Sequence, residues 1–153
     1  MRQVYTVIEK LQEKLQGNDI TNTVTFGDIL QVDLNKTTIY PLAHIYISQV
    51  VFPEHIVEVS IQLYCLDIVD KTNEPNDDVM IYGSDNLQDV LNTQLQVVND
   101  IQAELRRGGL FDENLQLTTD ITATPFMDDY ENELAGWAVT INIEMPNTEH
   151  TIC

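Results

Sequence analysis

LAGWAVTINIEMPN, residues 134–147, alternates without a break from Gly136 to Met145. Trp137, Val139, Ile141, Ile143 and Met145 fall on one side, and Ala138, Thr140, Asn142 and Glu144 on the other. Side chains of a strand point to opposite faces in turn, so this period of two specifies a strand with one face in a core. Working back, EHIVEVSIQLY at 54–64 repeats the pattern, with Val57, Val59, Ile61, Leu63 and Cys65 set against Glu58, Ser60, Gln62 and Tyr64. PLAHIYISQV at 41–50 precedes it across Pro53-Glu54, so the two read as an antiparallel hairpin. ENLQLTTDITATPF at 113–126 supplies one more strand before the last.

Helices flank these strands. Val4, Val7, Ile8, Leu11 and Leu15 recur at steps of three and four until Gly17-Asn18-Asp19 stops them, which predicts an amphipathic first helix. Leu87, Val90, Leu91, Val98, Ile101 and Leu105 share a side of a second helix that Ser84-Asp85 opens, with Gln88 in capping-box spacing, and Gly108 ends. About 24 residues of helix reach roughly 36 Å, enough to cover a small sheet. The fold class expected is α+β: two layers, a mainly antiparallel four-stranded sheet with an N-terminal helix and a long central helix packed on it. Residues 1–153 read as one domain, with 18–40, whose short apolar pieces are TVTF, DILQVD and TTIY, as an extended arm or a pair of short strands.

The formal charge is −18, from 25 acidic and 7 basic residues. Affinity for nucleic acid comes chiefly from Lys and Arg neutralising phosphates, so such binding is disfavoured. Arg106-Arg107 sits where cations complement a helix C-terminus. No apolar run approaches the roughly 18–20 residues needed to cross a bilayer, and the N-terminus does not read as a signal peptide. Two cysteines are too few for a disulfide framework, and mid-strand Cys65 reads as a buried thiol.

Motifs that carry chemistry are few in this chain. His44, His55 and His150 lack the spacing that puts two imidazoles on one helix face, and His44 within its strand reads as structural. The acidic stretches Asp70, Glu74, Asp77, Asp78 and Asp128, Asp129, Glu131, Glu133 lack the spacing of a calcium loop and read as solvated charge. No serine occupies a nucleophile elbow and no glycine-rich loop precedes Lys-Ser or Lys-Thr, so no enzyme, cofactor or metal site is expected. Trp137 reads as core packing before interface anchor.

YPLAHI at 40–45, LDIVDK at 66–71, DVLNTQL at 89–95, LAGWAVTINIEMPN at 134–147 and Cys153 together resemble, in their order, small neck, tail-completion and tail-terminator proteins of tailed bacteriophages. The resemblance implies a structural virion protein assembled in the host cytoplasm: a cyclic homo-oligomer of six or twelve subunits between capsid portal and tail. Its implied neighbours are portal, adaptor or tail-tube proteins, with no membrane contact. Double-stranded DNA would pass without specific binding. A closed ring needs two different, complementary patches on each subunit. The arm is the candidate for one of them, through Phe26, Ile29, Leu30, Val32, Ile39 and Tyr40, with an intramolecular strand as the alternative. The two acidic stretches become candidates for the channel wall, where carboxylates repel the duplex over a screening length of about 8 Å. A different reading of the charge is an acidic module in a bacterial cytosol that recruits a basic partner.

Overall fold

The computed structural model describes residues 2–28, 37–69, 87–109, 115–129 and 133–147. Two helices, α1 (Arg2–Gln16) and α2 (Leu87–Glu104), pack on one face of a six-stranded mixed sheet. Its strands are β1 (Thr23–Phe26), β2 (Leu42–Val51), β3 (Ile56–Ile68), β4 (Gln116–Leu117), β5 (Thr122–Asp129) and β6 (Glu133–Pro146). The order is β1-β2-β3-β6, with β4 and β5 both pairing along the far side of β6. Only β1 and β2 run parallel. The expectation of four strands is thus corrected to six. The additions are β1, four residues, and β4, two residues, both too short to display a period of their own.

β3 and β6 form the spine, in unbroken register from Ile56↔Pro146 to Ile68↔Leu134. Their inward residues Val57, Val59, Ile61, Leu63, Cys65, Val139, Ile141, Ile143 and Met145 are buried. Each fully buried large aliphatic side chain contributes roughly 1.5–3 kcal/mol. α1 adds Val7, Ile8, Leu11 and Leu15 to this core, and α2 adds Val97, Val98 and Ile101. The helices are tied to each other by Lys14 Nζ to Glu104 at 3.1 Å and by Asn18 Nδ2 donating to Asp100 at 3.1 Å. α2 runs into a single π turn, Leu105–Gly109. Its capping positions Ser84 and Asp85 lie outside the described residues.

The face away from the helices is apolar at one end. Tyr40, Leu42, Leu66 and Leu134 are buried there, with Ile39, Tyr64, Ile68 and Phe126 packed around them. Gly136 lies in this region, between Leu66 of β3 and Phe126 of β5. A Cβ at Gly136 would stand 1.8 Å from the Cys65 carbonyl oxygen. The bare backbone of Gly136 and small Ala138 let Tyr64 and Phe126, from strands on either side of β6, meet edge to face at 5.7 Å.

Candidate functional site

Beyond that apolar end, the open face becomes a lattice of neutral hydrogen-bonding groups. Ser60 Oγ donates to Asn142 Oδ1 at 2.7 Å, and Asn142 Nδ2 donates to Thr119 Oγ1 at 3.0 Å. One row along, Gln62 Nε2 donates to Thr140 Oγ1 at 3.1 Å. These residues are register partners, Ser60↔Asn142 and Gln62↔Thr140, so strand pairing sets their approach. The next row places Glu58 opposite Glu144. Two like charges directly across a sheet repel and are kept only where something other than stability is served, or where solvent screens them.

Among the described residues no Lys or Arg lies in a strand. Arg2, Lys10 and Lys14 are on α1, Arg106 and Arg107 in the π turn, and Lys36 and Lys71 outside the described residues. Arg106 is engaged by Asp120 at 2.9 Å and Lys14 by Glu104. The described strands therefore offer hydroxyls, amides and carboxylates, and no Lys or Arg.

His44 is fully buried and fastens β1 to β2. Its Nε2–H donates to the Gly27 carbonyl at 2.8 Å, which fixes the tautomer; Nδ1 then accepts from the Thr25 hydroxyl at 2.7 Å. Burial lowers its pKa, against the pull of the Gly27 carbonyl and of Asp28. Both ring nitrogens are used up within the chain, as expected of a structural histidine. Burial likewise pushes the Cys65 thiol up to about 12, so it is no nucleophile. Asp67 is raised by burial, partly offset by the Ile68 N–H that it accepts at 2.8 Å. Among the described residues no cluster of three His, Cys, Asp or Glu side chains is placed to hold a metal. No described helix is long and apolar enough to cross a membrane.

The arm residues separate. Thr23–Phe26 pairs within the chain against Leu42–Ile45, and Val24 packs on the core. Phe26 is half exposed, whereas Ile39 and Tyr40 pack inward with Leu42, Leu66 and Leu134. Asn22 ties the segment back, its Nδ2 donating to the Thr38 carbonyl at 2.9 Å. Ile29, Leu30 and Val32 lie outside the described residues, as do Asp70, Glu74, Asp77, Asp78 and Glu131. Asp128 and Asp129 belong to β5 and Glu133 to β6, paired Asp128↔Leu134 and Asp129↔Glu133, so the second acidic stretch is mostly strand and not loop.

What sequence reading missed is the joining of Ser60, Asn142 and Thr119 in one hydrogen-bonded set and of Gln62 and Thr140 in the row beside it. Alternation marks four of them as outward, but only register brings them together. A second surface feature is a groove of about 400 Å³ on α2, lined by Asn92, Leu95, Gln96, Val98, Asn99 and Gln102, again without a charge. No known family model matches this chain, and no curated protein matches it.

Proposed function

We propose that this chain is a non-enzymatic structural subunit of a ring at the head-to-tail junction of a tailed bacteriophage virion, in a neck, tail-completion or tail-terminator position. Identical copies, six or twelve, surround the DNA channel, in contact with portal, adaptor or tail-tube proteins. The observation that carries this reading is that the described strands hold no Lys or Arg and that no described helix covers one face of their sheet. Duplex DNA presents one phosphate charge per roughly 1.7 Å, and each Lys or Arg that neutralises a phosphate adds grip. A wall past which DNA must slide has to lack such groups. Ser60, Gln62, Thr140 and Asn142 satisfy one another, and Glu58 and Glu144 repel phosphate, so this face suits a channel wall. The carboxylates of Asp70, Glu74, Asp77, Asp78, Asp128, Asp129, Glu131 and Glu133 are proposed to add to the same repulsion of phosphate.

The test is mass spectrometry of gradient-purified virions from the phage whose genome encodes the chain, with immunogold labelling. The expected result is the chain at stoichiometric copy number, with label at the head–tail junction. Its absence from virions, together with retention on a basic protein from the host, would replace this reading by that of an acidic recruiting module.

A further inference from the structure

The sheet ends in two edges, and they are guarded unequally. On one side β5 carries Pro125, which has no N–H to offer, and finishes in Asp128 and Asp129. Proline and charge both discourage a further strand. On the other side β1 covers β2 only from Leu42 to Ile45, and among the described residues no strand pairs with Tyr46–Val51 along that edge. Ile45 to Pro53 contains no charged residue, in a chain of net −18. The exposed large apolar side chains of the described residues gather here: Phe26 (50%), Tyr46 (42%), Val50 (37%), Val51 (39%) and Phe52 (63%), leaving only Tyr5 and Leu95 elsewhere.

The direction of the backbone is fixed as well. Gly27 N–H donates to the Ile45 carbonyl at 3.0 Å, so at Ile45 the peptide groups point away from β3. In an antiparallel ladder this direction repeats at every second residue. Ile45, Ile47 and Val50 face Leu63, Ile61 and Val59, which are alternate residues of the unbulged β3. Ile47 and Val50 therefore turn N–H and C=O outward. The register shift between Ile47 and Gln49 sets these two outward-turned positions three residues apart.

The geometry points to a second copy of this chain as the occupant, its Tyr46–Val51 pairing antiparallel with this one about a two-fold axis between Ser48 and Gln49. Ile47 and Val50 of one molecule exchange backbone hydrogen bonds with Val50 and Ile47 of the second copy. Tyr46 meets Val51 of the second copy on the open face, since Tyr46 lies opposite Gln62 and Val51 opposite Glu58. Ser48 meets Gln49. The six residues fill the gap between the end of β1 and the turn at Phe52, which brings Phe26 against Phe52 of the second copy. Salt screens the repulsion between two molecules of charge −18 over about 8 Å, so they approach most easily along a stretch that brings no charge of its own, and Ile45 to Pro53 is such a stretch. A basic partner finds no carboxylate to pair with between Ile45 and Pro53. The contact is isologous and so distinct from the head-to-tail contact of a ring. Its failure leaves the ring reading standing, and the reverse holds too.

Sedimentation and light scattering of the full chain test the inference, with a particle of twice 17.4 kDa expected. Val50→Pro removes an N–H that β3 does not use; it should abolish the dimer while circular dichroism stays unchanged. Should that variant unfold, Val50→Lys serves, and it should raise the dimer dissociation constant about tenfold or more. Register is read by mixing Tyr46→Cys with Val51→Cys, each in a Cys153→Ser background, under mild oxidation. The non-hydrogen-bonded pair puts their Cα atoms about 4.5 Å apart, within disulfide reach, so the mixture cross-links and neither variant does alone. A monomer at concentrations up to about 1 mM, or cross-linking as strong in either variant alone, would overturn the proposal.

Discussion

Trp137 Nε1 donates a 2.8 Å hydrogen bond to the backbone carbonyl of Leu91, fastening the middle of β6 to the first half of α2. This side chain thus spans both layers, its ring half-buried in the core and its one polar atom spent on the helix. Trp137→Phe keeps the apolar contact and removes the bond, and should cost about 1–2 kcal/mol in urea unfolding. Trp137→Leu removes ring volume as well and should cost more. Equal stability of wild type and Trp137→Phe would show that the bond adds nothing.

Gly136→Ala is expected to be far more damaging than its size suggests. The added methyl group would meet the Cys65 carbonyl at 1.8 Å, and both partners are backbone in paired strands, so neither can yield without opening β3 from β6. A loss of about 3 kcal/mol or more, or failure to fold, is expected in thermal unfolding. Gly27→Ala, where the added Cβ would meet no atom within 4 Å but φ is +115°, should cost less, through backbone strain alone.

His44 gives stability a pH dependence of known sign. Its folded-state pKa lies below the usual 6.5, so the folded state holds fewer protons than the unfolded chain between those two values. The stability it contributes is full above about pH 6.5 and falls as pH drops through that value toward the folded pKa. Urea midpoints at pH 7.5 and 5.5 should differ more for wild type than for His44→Gln, which cannot titrate. Identical differences would assign the pH response to other groups.

Gln94 faces the sheet from α2, almost wholly buried, and its Nε2 donates to no acceptor among the described residues. An unpaired buried amide costs about 1–3 kcal/mol, whereas an apolar isostere gains from the same site. Gln94→Met or Gln94→Leu should therefore raise the unfolding free energy by about 1 kcal/mol or more. Gln96→Leu on the exposed side of the same helix should change it little.

The parts of this fold legible in the sequence are those with enough residues to show a period. β3 from Val57 to Cys65 and β6 from Val139 to Met145 are buried on the alternation read from them, strands of thirteen and fourteen residues in all. α2 is read less completely. The apolar stripe omits Gln94, which sits at helical spacing between Val90 and Val97 but hides its burial behind a polar name. Val97 is omitted too, although it is more deeply buried than its neighbour Val98. TVTF, which is β1, is legible as a short strand candidate within 18–40, but its pairing with β2 escapes, because a parallel partner across the 27–41 excursion leaves no mark in four residues. Hence the roles of Thr25 and Gly27 as the two partners of His44 escape with it. The lattice on the open face is half legible: its members alternate outward in plain view, and their joining depends on register, which sequence does not carry.

Phe126 stands directly across the ladder from Gly136, its ring leaning over the place where a side chain is missing. The two positions are a hereditary unit. A lineage that trades the glycine for anything larger displaces the ring, and one that trades the ring for something small uncovers the leucines around it. Descendants of this chain should keep both or abandon both, whatever drift does to the surface around them.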